Sequence, residues 1–220
     1  MSKKNILCFG DSNTWGYVPG SDYERFPADV RWPGVMHTCL GPGFHVIEEA
    51  QNGRMSVWED PMEPLVSKCG MDQLPAILES HMPLDLVIIM LGTNDLKNHL
   101  NNSAAMIAQG VITLVDYVLS STAGPEKSPP PVLVICPVPV FDGPCPFGHL
   151  FDDAAGRSRE MAACYAEMAE DRGVAFLNAG DFAACPDTDC IHIDAAGHAD
   201  LGKAVAQKIA RMKESDYLGW

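Results

Sequence analysis

A chain of 220 residues that is 47% hydrophobic is long enough to bury a sizeable core, and its length suits one domain spanning residues 1–220. Its formal charge of −14, with no cluster of Lys or Arg, excludes partners held through a phosphate backbone or an anionic bilayer, because both require concentrated basic charge. Met1-Ser2-Lys3-Lys4 leads through Asn5 into only four apolar residues before Gly10, too few for a signal-peptide core or a membrane span, so a cytoplasmic protein is expected.

The first strand is expected at residues 6–9, an apolar run. It ends in Gly10-Asp11-Ser12-Asn13-Thr14-Trp15-Gly16, which sets a serine among turn-forming residues at the strand's carboxyl edge. Ser and Asp beside Gly are ordinary turn residues, so this serine alone is a weak signal. A second strand at 45–48 runs into Asn52-Gly53-Arg54, and helical spacing follows at 71–81. The third strand, 85–91, ends in Gly92-Thr93-Asn94-Asp95. The amide of Asn94 suits either a donor to a developing oxyanion or a helix N-cap.

Helical spacing returns at 106–119. Residues 123–131 hold four prolines and a glycine and read as a connector ahead of the fourth strand at 132–136. Residues 137–150 carry Phe141 and Phe147 directly after a strand end, a placement that fits an acyl pocket or a surface loop equally. A helix at 157–172 and a fifth strand at 174–177 follow. Asp189-Cys190-Ile191-His192 then precedes a last helix at 195–212. An Asp and a His three apart on a turn can hydrogen-bond each other, the arrangement serine chemistry needs to hold one imidazole tautomer.

Strands alternating with helices indicate a parallel sheet covered on both faces, with ligands bound at the carboxyl ends of the strands. The serine, the Asn94 block and the Asp-His turn all fall on that edge. The eight cysteines are scattered with no Cys-x-x-Cys pair, and free thiols are expected.

Gly10-Asp11-Ser12, Asn52-Gly53-Arg54, Gly92-Thr93-Asn94-Asp95 and Asp189-x-x-His192 resemble, in order and spacing, the signature blocks of the SGNH (GDSL) hydrolases over nearly the whole chain. Residues 6–16 and 84–95, with Arg25-Phe26 and Val30-Arg31-Trp32, are similar to the arylesterase and acyltransferase branch. The resemblance implies a flavodoxin-like, three-layer α/β/α fold on a five-stranded parallel sheet. It implies Ser12 as nucleophile, His192 as general base and Asp189 as its orienter, with an oxyanion hole from the Ser12 amide, Gly53 and Asn94. It further implies a small-molecule ester and an alcohol acceptor as partners, no cofactor and no metal, and homo-oligomers. Asp11, Trp15, Phe141 and Phe147 are candidates for the substrate pocket. Asn13 departs from the usual Gly-Asp-Ser-Leu.

A carbohydrate O-deacetylase, a thioesterase or a lysophospholipase would use the same residues. A non-catalytic flavodoxin-like module cradling a phosphate is disfavoured, because Gly16, Pro19 and Gly20 interrupt the helix such a loop would need. A metal site from Cys185, Asp189, Cys190, His192, His198 and Asp200 is disfavoured by its spacing.

Overall fold

Runs of branched and apolar side chains that must be buried on both faces become parallel strands. In the computed structural model, which describes residues 3–144 and 146–220, these are β1 (Lys4–Gly10), β2 (Phe44–Ala50), β3 (Leu86–Met90), β4 (Val132–Cys136) and β5 (Ala175–Asn178). They form one sheet in the order β2-β1-β3-β4-β5, every pair parallel.

Side chains alternate across the sheet with period two. Leu7, Phe9, Val87, Ile89 and Val134 face one apolar cluster, and Ile6, Cys8, Leu86, Ile88, Leu133 and Ile135 face another. The helices, numbered in chain order, divide between these faces. α1 (Ser12–Trp15) is a single turn at the top of β1. α2 (Trp32–Leu40) and α7 (Ala195–Glu214) cover the second face. α3 (Gly70–His81), α4 (Ala104–Ser120) and α6 (Ala154–Asp171) cover the first. Three layers result, as the resemblance implied, with the short α5 (Gly148–Phe151) at the rim.

The chain leaves β1 toward β2 on one side and reaches β3 on the other, so the strand order reverses beside β1. Loops after β1 and β3 diverge there and open a crevice at the carboxyl edge. Gly10 ends β1 in register with Ala50 and Met90, which brings the ends of three strands level.

α2 falls where no helix was expected, and it contains Pro33 and Gly34, residues that ordinarily break helices. Proline is tolerated where it falls, in the first helical turn, since its missing N–H has no partner there in any case. Gly34 is required because a Cβ at that position would stand 1.7 Å from the Ala28 carbonyl oxygen. α5 begins inside 137–150 and is too short to show a helical period.

Cys8, Cys69 and Cys136 are buried and serve as small apolar side chains. The expectation of a free thiol at Cys145 falls outside the described residues. Among the described residues, no helix is long and apolar enough to cross a membrane.

Two glycines give opposite stability tests. A Cβ at Gly202 would lie 2.6 Å from the Val35 Cβ and 2.7 Å from the Trp32 carbonyl oxygen, at the contact of α7 with α2. Gly202→Ala is expected to cost about 1–3 kcal/mol, the usual range for overpacking. At Gly156, inside α6, a Cβ meets nothing within 4 Å. Gly156→Ala is expected to raise stability by up to about 1 kcal/mol through helix propensity. Denaturant midpoints of both variants check the pair of signs.

Candidate active site

The turn after β1 is built by three local choices. Gly10 has no Cβ to strike Thr14 Oγ1, which would lie 2.1 Å away. Asp11 caps α1, its Oδ1 accepting from the Asn13 amide at 2.9 Å. Gly16 closes the turn at φ 88°, a left-handed conformation that favours glycine. The helix that begins at Ser12 is only four residues long, so no long amide-rich terminus is aimed at the crevice.

The two ends of the chain meet here. His192 Nε2 stands 2.9 Å from Ser12 Oγ, and His192 Nδ1 stands 2.8 Å from Asp189 Oδ2. Asp189 is 1% exposed, and its carboxylate also accepts from the amides of Ile191, His192 and Gly20. Burial opposes its ionisation. The bond and charge of His192 and the two loop amides outweigh that, holding the carboxyl below the ordinary value of 3.8. Tyr17 stacks on the imidazole at 4.3 Å between ring centroids, and Phe147 approaches it edge-on at 6.3 Å.

Ser12 and His192 open into a cleft of about 200 Å³. One wall is apolar, from Phe147, Leu150, Phe151 and Ile191 beside Tyr17 and Tyr23. The other is polar, from Asn52, Gly53, Asn94, Glu63 and Lys97. Asn94 donates one amide hydrogen to the Arg54 carbonyl oxygen at 3.1 Å, which fixes its orientation. An asparagine has a second amide hydrogen, and Asn94 lines the cleft. Gly53 adopts φ 81°, and a Cβ there would crowd Lys68 Nζ and Glu63 Oε1. Lys97 is fixed by Asp60 at 2.5 Å and Glu63 at 3.3 Å.

The structure therefore brings Ser12, Gly53, Asn94, His192 and Phe147 to one cleft, with Asp189 behind the imidazole. Three candidate pocket residues do not line this cleft. Asp11 is buried under the turn as its cap, Trp15 packs behind Tyr17 and Tyr23 with Arg25 over its face, and Phe141 turns onto Gly143 in a separate surface cleft. Phe141 is drawn there because its amide pairs with the Cys190 carbonyl oxygen at 2.9 Å, on the outside of the His192 loop. Phe147, the residue just before α5, returns the chain to the cleft.

Tyr17, Tyr23, Glu63, Lys97, Leu150 and Phe151 line the cleft without having been singled out. Tyr17 was within reach of the sequence, as the residue directly after the turn-closing Gly16. Lys97 and Glu63 depend on a contact 34 residues apart and were not. Among the described residues, no group of three or more His, Cys, Asp or Glu side chains is arranged to hold a metal. His198 is committed elsewhere, its Nδ1 accepting from the Trp32 amide in the core.

A profile of the GDSL-like lipase/acylhydrolase family matches residues 8–199. The chain belongs to this family. It is a carboxylic ester hydrolase by that membership. The GDSL chain is 42% identical to the aryl esterase of M. smegmatis, with a TM-score of 0.88 over 94% of this chain and 99% of that one. It is 39% identical to Est24, a carbohydrate acetylesterase from Sinorhizobium meliloti, with a TM-score of 0.90 over 96% and 100% of the two chains. A second carbohydrate acetylesterase family member from S. meliloti is 30% identical with a TM-score of 0.89, over 99% of this chain and 100% of that one. A comparison with curated proteins returned no significant match.

Beneath the cleft of this GDSL enzyme lie two buried carboxyls. Burial raises Asp11 to about 7, helped by the nearby Asp95 and opposed by the Asn13 amide and Arg54. Asp95 is raised to about 6, again chiefly by burial, with the Ser56 hydrogen bonds opposing. A carboxyl whose folded pKa exceeds its unfolded value stabilises the fold fully below about 4 and loses that contribution as pH rises through about 7. Asp11→Asn keeps the acceptor for the Asn13 amide and removes the ionisation. The thermal midpoint of Asp11→Asn minus that of the parent is expected to grow more positive from about pH 5 to about pH 8. A difference independent of pH would contradict the assignment.

Proposed function

We propose that the protein hydrolyses small carboxylic esters, and transfers their acyl groups to alcohols, through an acyl-enzyme on Ser12. The observation that carries this reading is the continuous line from Asp189 Oδ2 through the imidazole to Ser12 Oγ, with contacts of 2.8 Å and 2.9 Å.

In this mechanism Asp189 holds a proton on His192 Nδ1 and leaves Nε2 free to accept the hydroxyl proton as Ser12 Oγ attacks the carbonyl carbon. The carbonyl electron pair moves to oxygen, where Asn94 and the Gly53 and Ser12 amides donate to it. As the tetrahedral intermediate collapses, His192 returns the proton to the departing alcohol. Water or a second alcohol then gives its proton to Nε2 and releases the acyl group by the reverse sequence. Tyr17 stays stacked on the face of the imidazole that carries the proton in both halves.

A cleft of about 200 Å³ suits a short acyl chain and argues against lysophospholipid or long-chain thioester substrates. Its apolar wall limits water around the acyl-enzyme, which favours transfer when an alcohol is present. The polar wall of Asn52, Glu63 and Lys97 favours a hydroxylated leaving group, so acetylated sugars stand as the second substrate class. A cytoplasmic setting and assembly into homo-oligomers belong to the same proposal, the latter supported by the resemblance to the acyltransferase branch.

Asn94→Ala is expected to lower kcat by about 10²- to 10³-fold, the scale of a single oxyanion donor. A loss of less than about threefold would reduce Asn94 to a structural tie to the Arg54 carbonyl. A series of p-nitrophenyl esters should show kcat/KM falling as the acyl chain lengthens beyond a few carbons. Added alcohol should divert product from acid to ester. Equal rates on acetyl and long-chain esters would contradict the small-acyl reading.

A further inference from the structure

His192 stands on irregular chain: residues 183–194 belong to no helix or strand. Loops of this kind move more than the elements they join, yet the imidazole must keep hydrogen-bond distance from a hydroxyl 180 residues away in sequence. Asp189 and Asn13 bond the backbone beside His192. Asp189 grips it from within, its Oδ1 accepting from the Ile191 amide at 3.2 Å and the His192 amide at 3.0 Å.

The second grip comes from the other end of the chain. Asn13, the residue after Ser12, donates from Nδ2 to the Ile191 carbonyl oxygen at 3.0 Å and accepts at Oδ1 from the Ile193 amide at 3.0 Å. Its side chain thus presents one donor and one acceptor to the backbone on both flanks of His192, as a neighbouring strand would. Asn13 is 4% exposed, so water does not compete for either bond. Leucine shares the branched four-heavy-atom side-chain skeleton but is bulkier and offers neither bond. Aspartate offers only the acceptor when ionised.

We propose that Asn13 is a positioning residue that sets the distance and angle between Ser12 and His192 by clamping the backbone on each side of His192. The inference rests on the proposed roles of Ser12 and His192. Asn13 sits on α1 beside Ser12, so hydroxyl and imidazole are referred to the same turn of helix. The departure from Gly-Asp-Ser-Leu at this position is then an alternative way of fixing the His192 loop. Loss of the clamp lets the loop retreat, taking Ile191 with it, while the rest of the cleft lining stays in place, so turnover falls more than substrate binding. A displacement near 1 Å can cost on the order of 10²-fold in rate.

The test compares Asn13→Leu and Asn13→Asp with the parent enzyme on a short-chain p-nitrophenyl ester. Sites are counted by labelling to completion with a p-nitrophenyl phosphonate, and thermal midpoints are recorded alongside. Asn13→Leu is expected to lower kcat per titrated site and the phosphonylation rate together, by about 10- to 100-fold, with KM changed by less than about twofold. Asn13→Asp, which retains the bond to the Ile193 amide, should lie between the two. Values of kcat per site within about threefold of the parent would overturn the proposal, as would a loss confined to KM or to the number of titratable sites. If Asn13→Leu fails to fold, Asn13→Asp decides by the same criteria. A parent enzyme that the phosphonate does not label at Ser12 would refute instead the roles on which the inference depends.

Discussion

A hydrogen bond of 2.9 Å between Ser12 and His192 ties together the two ends of the chain, and the architecture can be understood as the means of making it. Ser12 is delivered by β1, an interior strand of a sheet buried on both faces. His192 is delivered by a loop ahead of α7, and α7 packs on α2 against the same sheet. Because side chains interlock on both faces, a shift of either end is opposed by the whole core. The final approach is polar and local. Asp189 and Asn13 between them bond the Ile191, His192 and Ile193 amides and the Ile191 carbonyl.

The same crevice concentrates unfavourable burial. Asp11 Oδ2, Asp95 Oδ2, Thr14 Oγ1 and Thr93 Oγ1 are buried without a hydrogen-bond partner among the described residues. Buried polar atoms of this kind cost stability, and the sheet and helix packing offset that cost. Their position directly beneath Ser12 and Asn94 follows from the tight turns at the ends of β1 and β3, which are built from short polar residues. Sites that perform chemistry are where local rules of stability are most often broken.

How much of this was legible in the sequence varied with the range of the interaction. β4 is read residue for residue because Pro131 and Pro137 bound an unbroken apolar run. The long helices α3, α4, α6 and α7 show their period and are misjudged only by a few residues at their ends. α2 was hidden, since Pro33 and Gly34 look like breakers until the Ala28 carbonyl shows why a glycine is needed. Ser12, Asn94, Asp189 and His192 were visible because each sits at a strand end or turn in a spacing that resembles a family. The pocket was far less so. Phe141 and Phe147 lie on one proline-rich segment, and only the pairing of Phe141 with the Cys190 carbonyl and the turn of α5 decide which of them faces His192. Asn13 registered as a departure from a motif, while its purpose lay in two bonds to backbone at the far end of the chain.

The central claim is that Ser12 is acylated with His192 accepting its proton. Rapid acid quenching during turnover of a short-chain ester, followed by mass spectrometry of the intact protein and of its peptides, observes that step directly. The account predicts one added acyl group, located on Ser12 and missing when His192→Ala is treated in the same way. Turnover with no covalent adduct under conditions where deacylation limits the rate, or an adduct on another residue, would contradict it.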